Sequence, residues 1–313
     1  MHGWLVIDKP VGPGSTEIVS AVKRALRAGG YPKAKVGHGG TLDPLASGVL
    51  PVALGEATKL AGRLLDGDKV YAFTVRFGTE TDTLDLEGRV VVTSQVRPDG
   101  AEIAAVLPRF TGAIRQMPPA YSALKVDGQR AYDLARAGEH VALAEREVVV
   151  HALRHTEPVP ASDAPDADKL EEQIPAQGQH DEATFVAHVS KGTYIRSLAR
   201  DLARALGTVG HVTMLRRLKA GPFGLAPAIL LDKLAEAGME RGLEHHLLPL
   251  RAGLDDIPAL PLTPDQAGAL RQGRVLAGIA ADDGQAFAML GPVPVALVEV
   301  QAGHVRVVRG FNL

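Results

Sequence analysis

The 313-residue sequence contains no cysteine. That absence excludes a disulfide framework, a zinc–thiolate centre, iron–sulfur ligation and a cysteine nucleophile, and it fits a reducing cytoplasm. Long apolar runs are missing as well. The longest weakly polar runs, such as Ala288 to Val300, are broken by Gly291, Pro292 and Pro294 and fall well short of the roughly 18 to 20 residues that span a bilayer. The opening MHGWLVIDKP has no basic region ahead of an apolar segment, so no secretory signal is expected. Net charge is small, -2, yet 46% of the residues are hydrophobic and 22% charged, which excludes disorder of the whole chain. No repeat of solenoid period is present. A soluble chain with one large domain and one small one is expected.

Composition shifts along the chain. Residues 156–182 hold eight carboxylates (Glu157, Asp163, Asp166, Asp168, Glu171, Glu172, Asp181 and Glu182) against one Lys169, with little to bury, and read as a solvated loop insertion. A linker rich in Leu and Pro is expected near Leu247 to Pro261. Alternation over Val70 to Phe77 puts Tyr71, Phe73, Val75 and Phe77 on one face of a strand. Ile18, Val22, Ala25 and Leu26 mark a helix, with Ser15 or Thr16 as its N-cap. Ile195, Leu198, Leu202 and Ala205 mark another within Thr193 to Leu206. Thr263 as N-cap, Pro264 at the first helical position and Gly273 beyond the end frame a short third helix. Strands over Val295 to Val300 and Val305 to Val308 complete a C-terminal module of mostly strands with one helix.

The densest chemistry lies in GHGGTLDPLASGVLPVALGEATK, Gly37 to Lys59, where five glycines and two prolines surround Asp43. Proline after an aspartate disfavours helix there, so Asp43 is held extended or in a turn, flanked by glycines that admit close approach. That is one way to present an active-site carboxylate, although on chemistry alone an Asx-turn in an ordinary loop is the commoner meaning. Neither a phosphate loop nor a dinucleotide fingerprint fits the spacing. Lys191, Arg196, Arg200, Arg204, Arg216, Arg217 and Lys219 face only Asp201 between Ala187 and Ala220. Such a patch suits a polyanion such as RNA, or else a solvated helix face. Asp82, Asp85 and Glu87 lack calcium-loop order and read as a polar turn. His151 and His155 are not expected to present both rings on one face, so no metal site is expected.

The Gly37 to Lys59 segment resembles the tRNA pseudouridine synthase B (TruB) family, with its GHxGTLDPxAxGVL pattern. Further family-like segments follow in order: LVIDKPVG (Leu5 to Gly12), TDTLDLEG (Thr81 to Gly88), QMPPAYSALKVDGQRAYDLARAG (Gln116 to Gly138), VSKGTYIRSLARDL (Val189 to Leu202) and HVTMLRRL (His211 to Leu218). The resemblance implies an α+β fold: a pseudouridine-synthase catalytic domain over residues 1–250, with a central, mainly antiparallel mixed sheet flanked by helices and loops. Residues 251–313 would form a small PUA-like β-barrel that binds RNA, and residues 117–138 a mobile thumb.

By position, Asp43 resembles the family's catalytic aspartate, acting as a nucleophile or assisting glycal formation. Tyr71 resembles the aromatic that stacks on the flipped base, and Arg196 the arginine that pairs with and orients the carboxylate. His38 resembles the histidine that packs into the RNA where the base has left the stack. Tyr194 and Leu215 resemble further pocket lining, and Lys191 and Arg216 are candidate substrate contacts within the basic cluster. The implied activity is isomerisation of uridine 55 in the tRNA T-loop, by base flipping and without metal or organic cofactor. The implied partner is the tRNA T-arm stem-loop, met by a cytoplasmic monomer that needs no membrane or obligate protein partner. A tRNA-binding folding helper without turnover is the alternative. An RNA-guided relative would be expected to bring lysine-rich tails. Two departures stand out: family members commonly carry threonine where this chain has Gly39, and the acidic insertion over 156–182 is longer than the resemblance leads one to expect.

Overall fold

The computed structural model describes residues 1–122, 124–126, 128–138, 143–156 and 179–313. The bulk of the expected acidic insertion, residues 157–178, lies outside the described residues, as do 123 and 127 in the thumb-like segment. The described strands are β1 (Gly3–Lys9), β2 (Val36–His38), β3 (Ala46–Leu54), β4 (Lys69–Phe77), β5 (Thr79–Thr81), β6 (Val90–Thr93), β7 (Gly112–Gln116), β8 (Lys125–Val126), β9 (Gln129–Arg130), β10 (Arg146–Thr156), β11 (Glu182–Val189), β12 (Gly210–Ala220), β13 (Ile229–Leu230), β14 (Ala259–Pro261), β15 (Gly284–Leu290), β16 (Val293–Gln301) and β17 (His304–Gly310). The helices are α1 (Ser15–Ala28), α2 (Ala61–Asp66), α3 (Gly100–Val106), α4 (Ala131–Arg136), α5 (Ile195–Ala205), α6 (Leu231–Met239) and α7 (Pro264–Arg271).

Nine strands form one central sheet in the order β13-β1-β3-β12-β4-β11-β10-β7, with β2 added on β3. Only β1–β13 and β3–β12 are parallel pairs; the others are antiparallel. The mainly antiparallel mixed sheet is therefore as expected. Its centre is β4, whose alternation buries Phe73, Val75 and Phe77 against Phe185 of β11 and Ile195, Leu198 and Leu202 of α5. The Phe73 and Phe185 rings stack with centroids 5.3 Å apart. Each such side chain removed from water contributes about 1.5–3 kcal/mol. The opposite face of β4 packs Val70 and Ala72 on Val186 and Leu218. Helix α1 covers the other half of the sheet, burying Ile18, Val22 and Leu26 on Leu5, Ile7, Leu50 and Val52.

Helix α1 does not use its hydroxyl residues as caps. Gly14 is the N-cap, and the Glu17 carboxylate accepts from the Gly14 N–H at 3.2 Å. Ser15 is drawn inward instead, to the backbone of Leu42 in the loop between β2 and β3. Helix α7 follows its sequence signals: Thr263 Oγ1 accepts from Gln266 N, Pro264 opens the helix, and Gly273 lies past its end at φ +74°.

Two C-terminal expectations are corrected. Strands β14-β15-β16-β17 form an open four-stranded sheet, not a closed barrel. Residues near 247–261 are no free linker, because Leu250, Leu254 and Ile257 are buried with Trp4, Phe287, Met289 and Phe311 in one cluster. The Trp4 indole N–H donates to Leu250 O at 3.1 Å. The apolar side chains of the segment are what pin it, since leaving them in water would forfeit their burial energy.

Candidate active site

Asp43 sits in the turn between β2 and β3. The following Pro44 keeps it out of helix, and Ala46 N–H donates to Asp43 O at 3.0 Å. Three buried side chains hold this turn by its backbone. Lys9, fully buried at the end of β1, donates to Pro44 O at 3.2 Å and Ala46 O at 2.5 Å. Ser15 Oγ accepts from Leu42 N at 2.8 Å and donates to Leu42 O at 3.1 Å, which is why it is not spent on capping α1. Arg217, also fully buried, donates to Gly40 O, Thr41 O and Val49 O at 3.1, 3.2 and 2.8 Å. Burial pushes the Lys9 ammonium down to about 8, opposed by the Asp43 carboxylate and reinforced by Arg217.

Two glycines make the loop possible. Gly48 has φ +99°, and a Cβ there would lie 2.2 Å from Arg217 O, so no side chain fits between β3 and β12. At Gly39 a Cβ would come within 2.6 Å of Leu64 Cδ1. Leu64 of α2 thus fills the space that a side chain at position 39 would need, which accounts physically for glycine at that place.

Arg196, at the start of α5, is buried and bridges two carboxylates. Its Nη2 lies 2.9 Å from Asp43 Oδ2 and its Nη1 3.1 Å from Asp85 Oδ2. It also donates to Thr83 O at 2.9 Å and Tyr121 O at 3.0 Å. Asp85 is fixed in turn, since its Oδ1 accepts from Thr83 Oγ1 at 2.5 Å and Glu87 N at 3.1 Å. The guanidinium therefore has its position set by the protein interior, while the Asp43 side chain remains 47% exposed to the cleft. An oriented anion facing an open space is equipped for attack at, or electrostatic stabilisation of, an electron-poor carbon.

That cleft has a volume of about 770 Å³ and is lined by His38, Asp43, Asp85 and Arg196, with Tyr121, Ser122, Tyr132 and Arg136 of the thumb-like segment on one side. A small recess of about 20 Å³ behind Asp43 is lined by Leu45, Asp85, Arg196, Met214 and Leu215. His38, half-buried on β2, has its Nδ1 buried without a partner among the described residues. Burial, then Arg217, depresses its pKa, so the ring is neutral near pH 7.

Of the residues singled out in the sequence, Asp43, Arg196, His38 and Leu215 are brought together here. Tyr71 on β4 is partly buried where the two large cores meet, packed in both alongside Leu215. Tyr194 precedes α5, exchanges hydrogen bonds with the Gln116 side chain at 2.7 and 3.1 Å, and lies under the Arg146 guanidinium. Lys191 reaches Asp66 at 3.1 Å, away from the cleft. Arg216 makes a two-pronged pair with Asp8 at 3.0 and 2.7 Å.

The basic stripe of α5 is consequently not a free phosphate-binding row. Arg196 serves the two aspartates, Arg200 pairs with Asp201, and Arg204 with the buried Glu80. Asp85, expected in a polar turn, instead pairs with Arg196 and lines the cleft, and Lys9, Ser15 and Arg217 were not singled out for the loop. Only the segments LVIDKPVG, TDTLDLEG and HVTMLRRL, which carry Lys9, Asp85 and Arg217, pointed in their direction. Spacing cannot show that a polar side chain is buried against a loop distant in sequence.

Residues 29–195 match the TruB family pseudouridylate synthase N-terminal domain, and residues 196–255 the tRNA pseudouridylate synthase B C-terminal domain. A tRNA pseudouridine synthase B of Novosphingobium aromaticivorans is 62% identical over 313 residues, covering 100% of this chain and 98% of the relative. One of Zymomonas mobilis is 56% identical, covering 100% and 96%. Among solved structures, a Cbf5-Nop10-Gar1 complex contains a chain with TM-score 0.70 and 26% identity, covering 99% of this chain and 85% of that one. An H/ACA RNP bound to a substrate RNA containing 2'-deoxyuridine gives TM-score 0.71 at 24% identity over the same shares, a likeness of fold. With family models matching residues 29–255 and relatives matched over nearly their full length, the chain belongs to the TruB family of pseudouridine synthases.

Proposed function

We propose that this protein is a tRNA pseudouridine synthase that isomerises the T-loop uridine at position 55. The observation that carries the reading is Asp43, open to the cleft and held by the buried Arg196, within a chain whose full-length relatives bear that enzyme's name. The reaction breaks the bond from ribose C1′ to uracil N1 and joins C1′ to C5 of the same base, C5 giving up its hydrogen to solvent as N1 takes on a proton. Nothing is oxidised or reduced, so the chemistry calls for a positioned anion near C1′ and shelter from water, not for an electron carrier.

The uridine must leave the stack first, at a cost of a few kcal/mol offset by stacking and phosphate contacts. A cleft of about 770 Å³ beside Asp43 is large enough for an extruded nucleotide. His38 at its edge, neutral and partly apolar, suits the space the base vacates. Tyr71 offers a ring for stacking, with Leu215 and Tyr194 as further lining. Tyr121, Ser122, Tyr132 and Arg136 of the thumb-like segment line the cleft where the T-arm would be gripped. Lys191 and Arg216 contribute positive potential only after their pairing with Asp66 and Asp8. Residues 251–313 act as an RNA-binding module appended to a catalytic domain over 1–250. The enzyme works in the cytoplasm on the T-arm stem-loop, as a monomer without an obligate protein partner.

The test is tritium release from a tRNA transcript labelled at uracil C5. Release confined to one T-loop uridine, and lost in Asp43→Asn, is expected. Tight tRNA binding with no release would replace this reading with that of a folding helper.

A further inference from the structure

On the sheet face opposite α5, three side chains converge that the isomerisation does not use. Asp68 lies just before β4, His188 is on β11 opposite Val70 of β4, and His151 is on β10. The pairing of β10 with β11 shifts there: Val150 faces Val189 but Ala152 faces His188, leaving His151 as the extra residue of a bulge. A bulge re-aims the side chain it carries. Here it brings the His151 ring to 4.7 Å from that of His188. Beyond the bulge, His155 faces the other way and packs on Phe185, so the two histidines that are close in sequence are separated and the two distant ones are joined.

Three ligand atoms come together on this face. His151 Nε2 and His188 Nε2 lie 3.1 and 3.6 Å from the same oxygen, Asp68 Oδ2, and all three atoms fall within 4.8 Å of one another. Zinc bonds to nitrogen and oxygen of about 2.0–2.2 Å in a tetrahedron imply ligand-to-ligand edges of about 3.4 Å. The two edges observed straddle that value. Lys191 is directed to Asp66 and Lys69 to the carbonyls of Leu65 and Gly67, while Arg154 and Lys219 line the same hollow as Asp68 and His188. The side chains of all three ligands are partly solvent-accessible, so an ion can enter without opening the core.

We propose that Asp68, His151 and His188 form a binding site for one zinc ion, with a fourth position left for water. The ion would tie together β4, β11 and β10, three adjacent strands of the central sheet, and so brace the strand that carries Tyr71. This site is independent of the isomerisation and of the reading given for it. Because it is assembled only in the folded chain, bound zinc raises the unfolding temperature.

The experiment is calorimetric titration of the metal-free full-length protein with zinc chloride, together with thermal unfolding followed by circular dichroism. The wild type and His155→Ala, whose ring lies on the opposite face, are expected to take up one equivalent and to unfold at a higher temperature with zinc. His151→Ala/His188→Ala is expected to lose both effects. Asp68→Asn, nearly isosteric, is expected to bind more than about 10-fold more weakly, the lower end of what even an outer-shell change costs. Absence of uptake by the wild type, or undiminished uptake in His151→Ala/His188→Ala or in Asp68→Asn, would overturn the proposal and leave a His–Asp–His cluster without an ion.

Discussion

At Arg196 a single guanidinium joins a carboxylate open to the cleft, Asp43, to a buried one, Asp85. The two partners therefore respond differently to mutation. In Asp43→Asn the amide oxygen can still accept from Arg196, so stability is expected to change by less than about 1 kcal/mol, while tritium release disappears and tRNA binding survives. In Asp85→Ala the buried guanidinium loses its inner partner. A loss of about 3 kcal/mol in urea denaturation is expected, with release also reduced because Arg196 no longer holds Asp43. Lys9 makes a pH prediction. Its folded pKa of about 8 lies below the ordinary 10.5, so between those values the unfolded chain binds more protons than the folded one. Its contribution to stability therefore rises with pH across that window, yet the neutral amine has one donor fewer for the carbonyls of Pro10, Pro44 and Ala46. Turnover is expected to fall as pH passes about 8, with no fall in urea midpoint from this group. The limb should vanish in Lys9→Met, and its persistence there would exonerate Lys9.

The elements around Asp43 act as a clamp. Strand β1 supplies Lys9, α1 supplies Ser15 and β12 supplies Arg217, each gripping a different stretch of the loop between β2 and β3. Helix α2 closes the remaining side through Leu64. Replacing Gly39 by Thr would force its Cβ onto Leu64, at a cost of about 1–3 kcal/mol for overpacking. Most of that cost should be recovered in Gly39→Thr/Leu64→Ala, a coupling that a double-mutant cycle of thermal unfolding measures; simple additivity would refute the contact. What could be read in advance at this scale was periodicity and one set of end signals: β4, α1 and α5 follow their apolar patterns, and α7 its caps. The N-cap of α1 could not, because Ser15 satisfies a distant loop and a glycine takes its place.

Across the molecule, the C-terminal sheet is not an independent bead. Phe287, Met289, Leu297 and Phe311 share one apolar cluster with Trp4, Val6 and Leu250, and Lys59 and Glu56 bond to the backbone of Gly310 and Asn312. Deleting residues 259–313 would leave the surface around Trp4 exposed, and the shortened chain is expected to aggregate or melt well below the full one. For the intact chain a single cooperative transition is expected in calorimetry, since neither part can unfold without uncovering the shared cluster. Two well-separated transitions would show the parts to be energetically independent.

The amino-acid sequence by itself determined the periodic elements, the exposed turn bearing Asp43 and, through its ordered motifs, the family, because local propensity and motif order are properties of the chain. Only the tertiary structure decided which charges are spent on one another. It turned the basic stripe of α5 into a set of ion pairs, converted a turn aspartate into the inner partner of Arg196, and sent Lys9, Ser15 and Arg217 to one loop. It also replaced the expected barrel and linker by an open sheet packed on Trp4. The physical reason is the same in each case: burying a charge or a polar group is tolerated only with a partner, and the partner is chosen by proximity in space, which spacing along the chain does not encode.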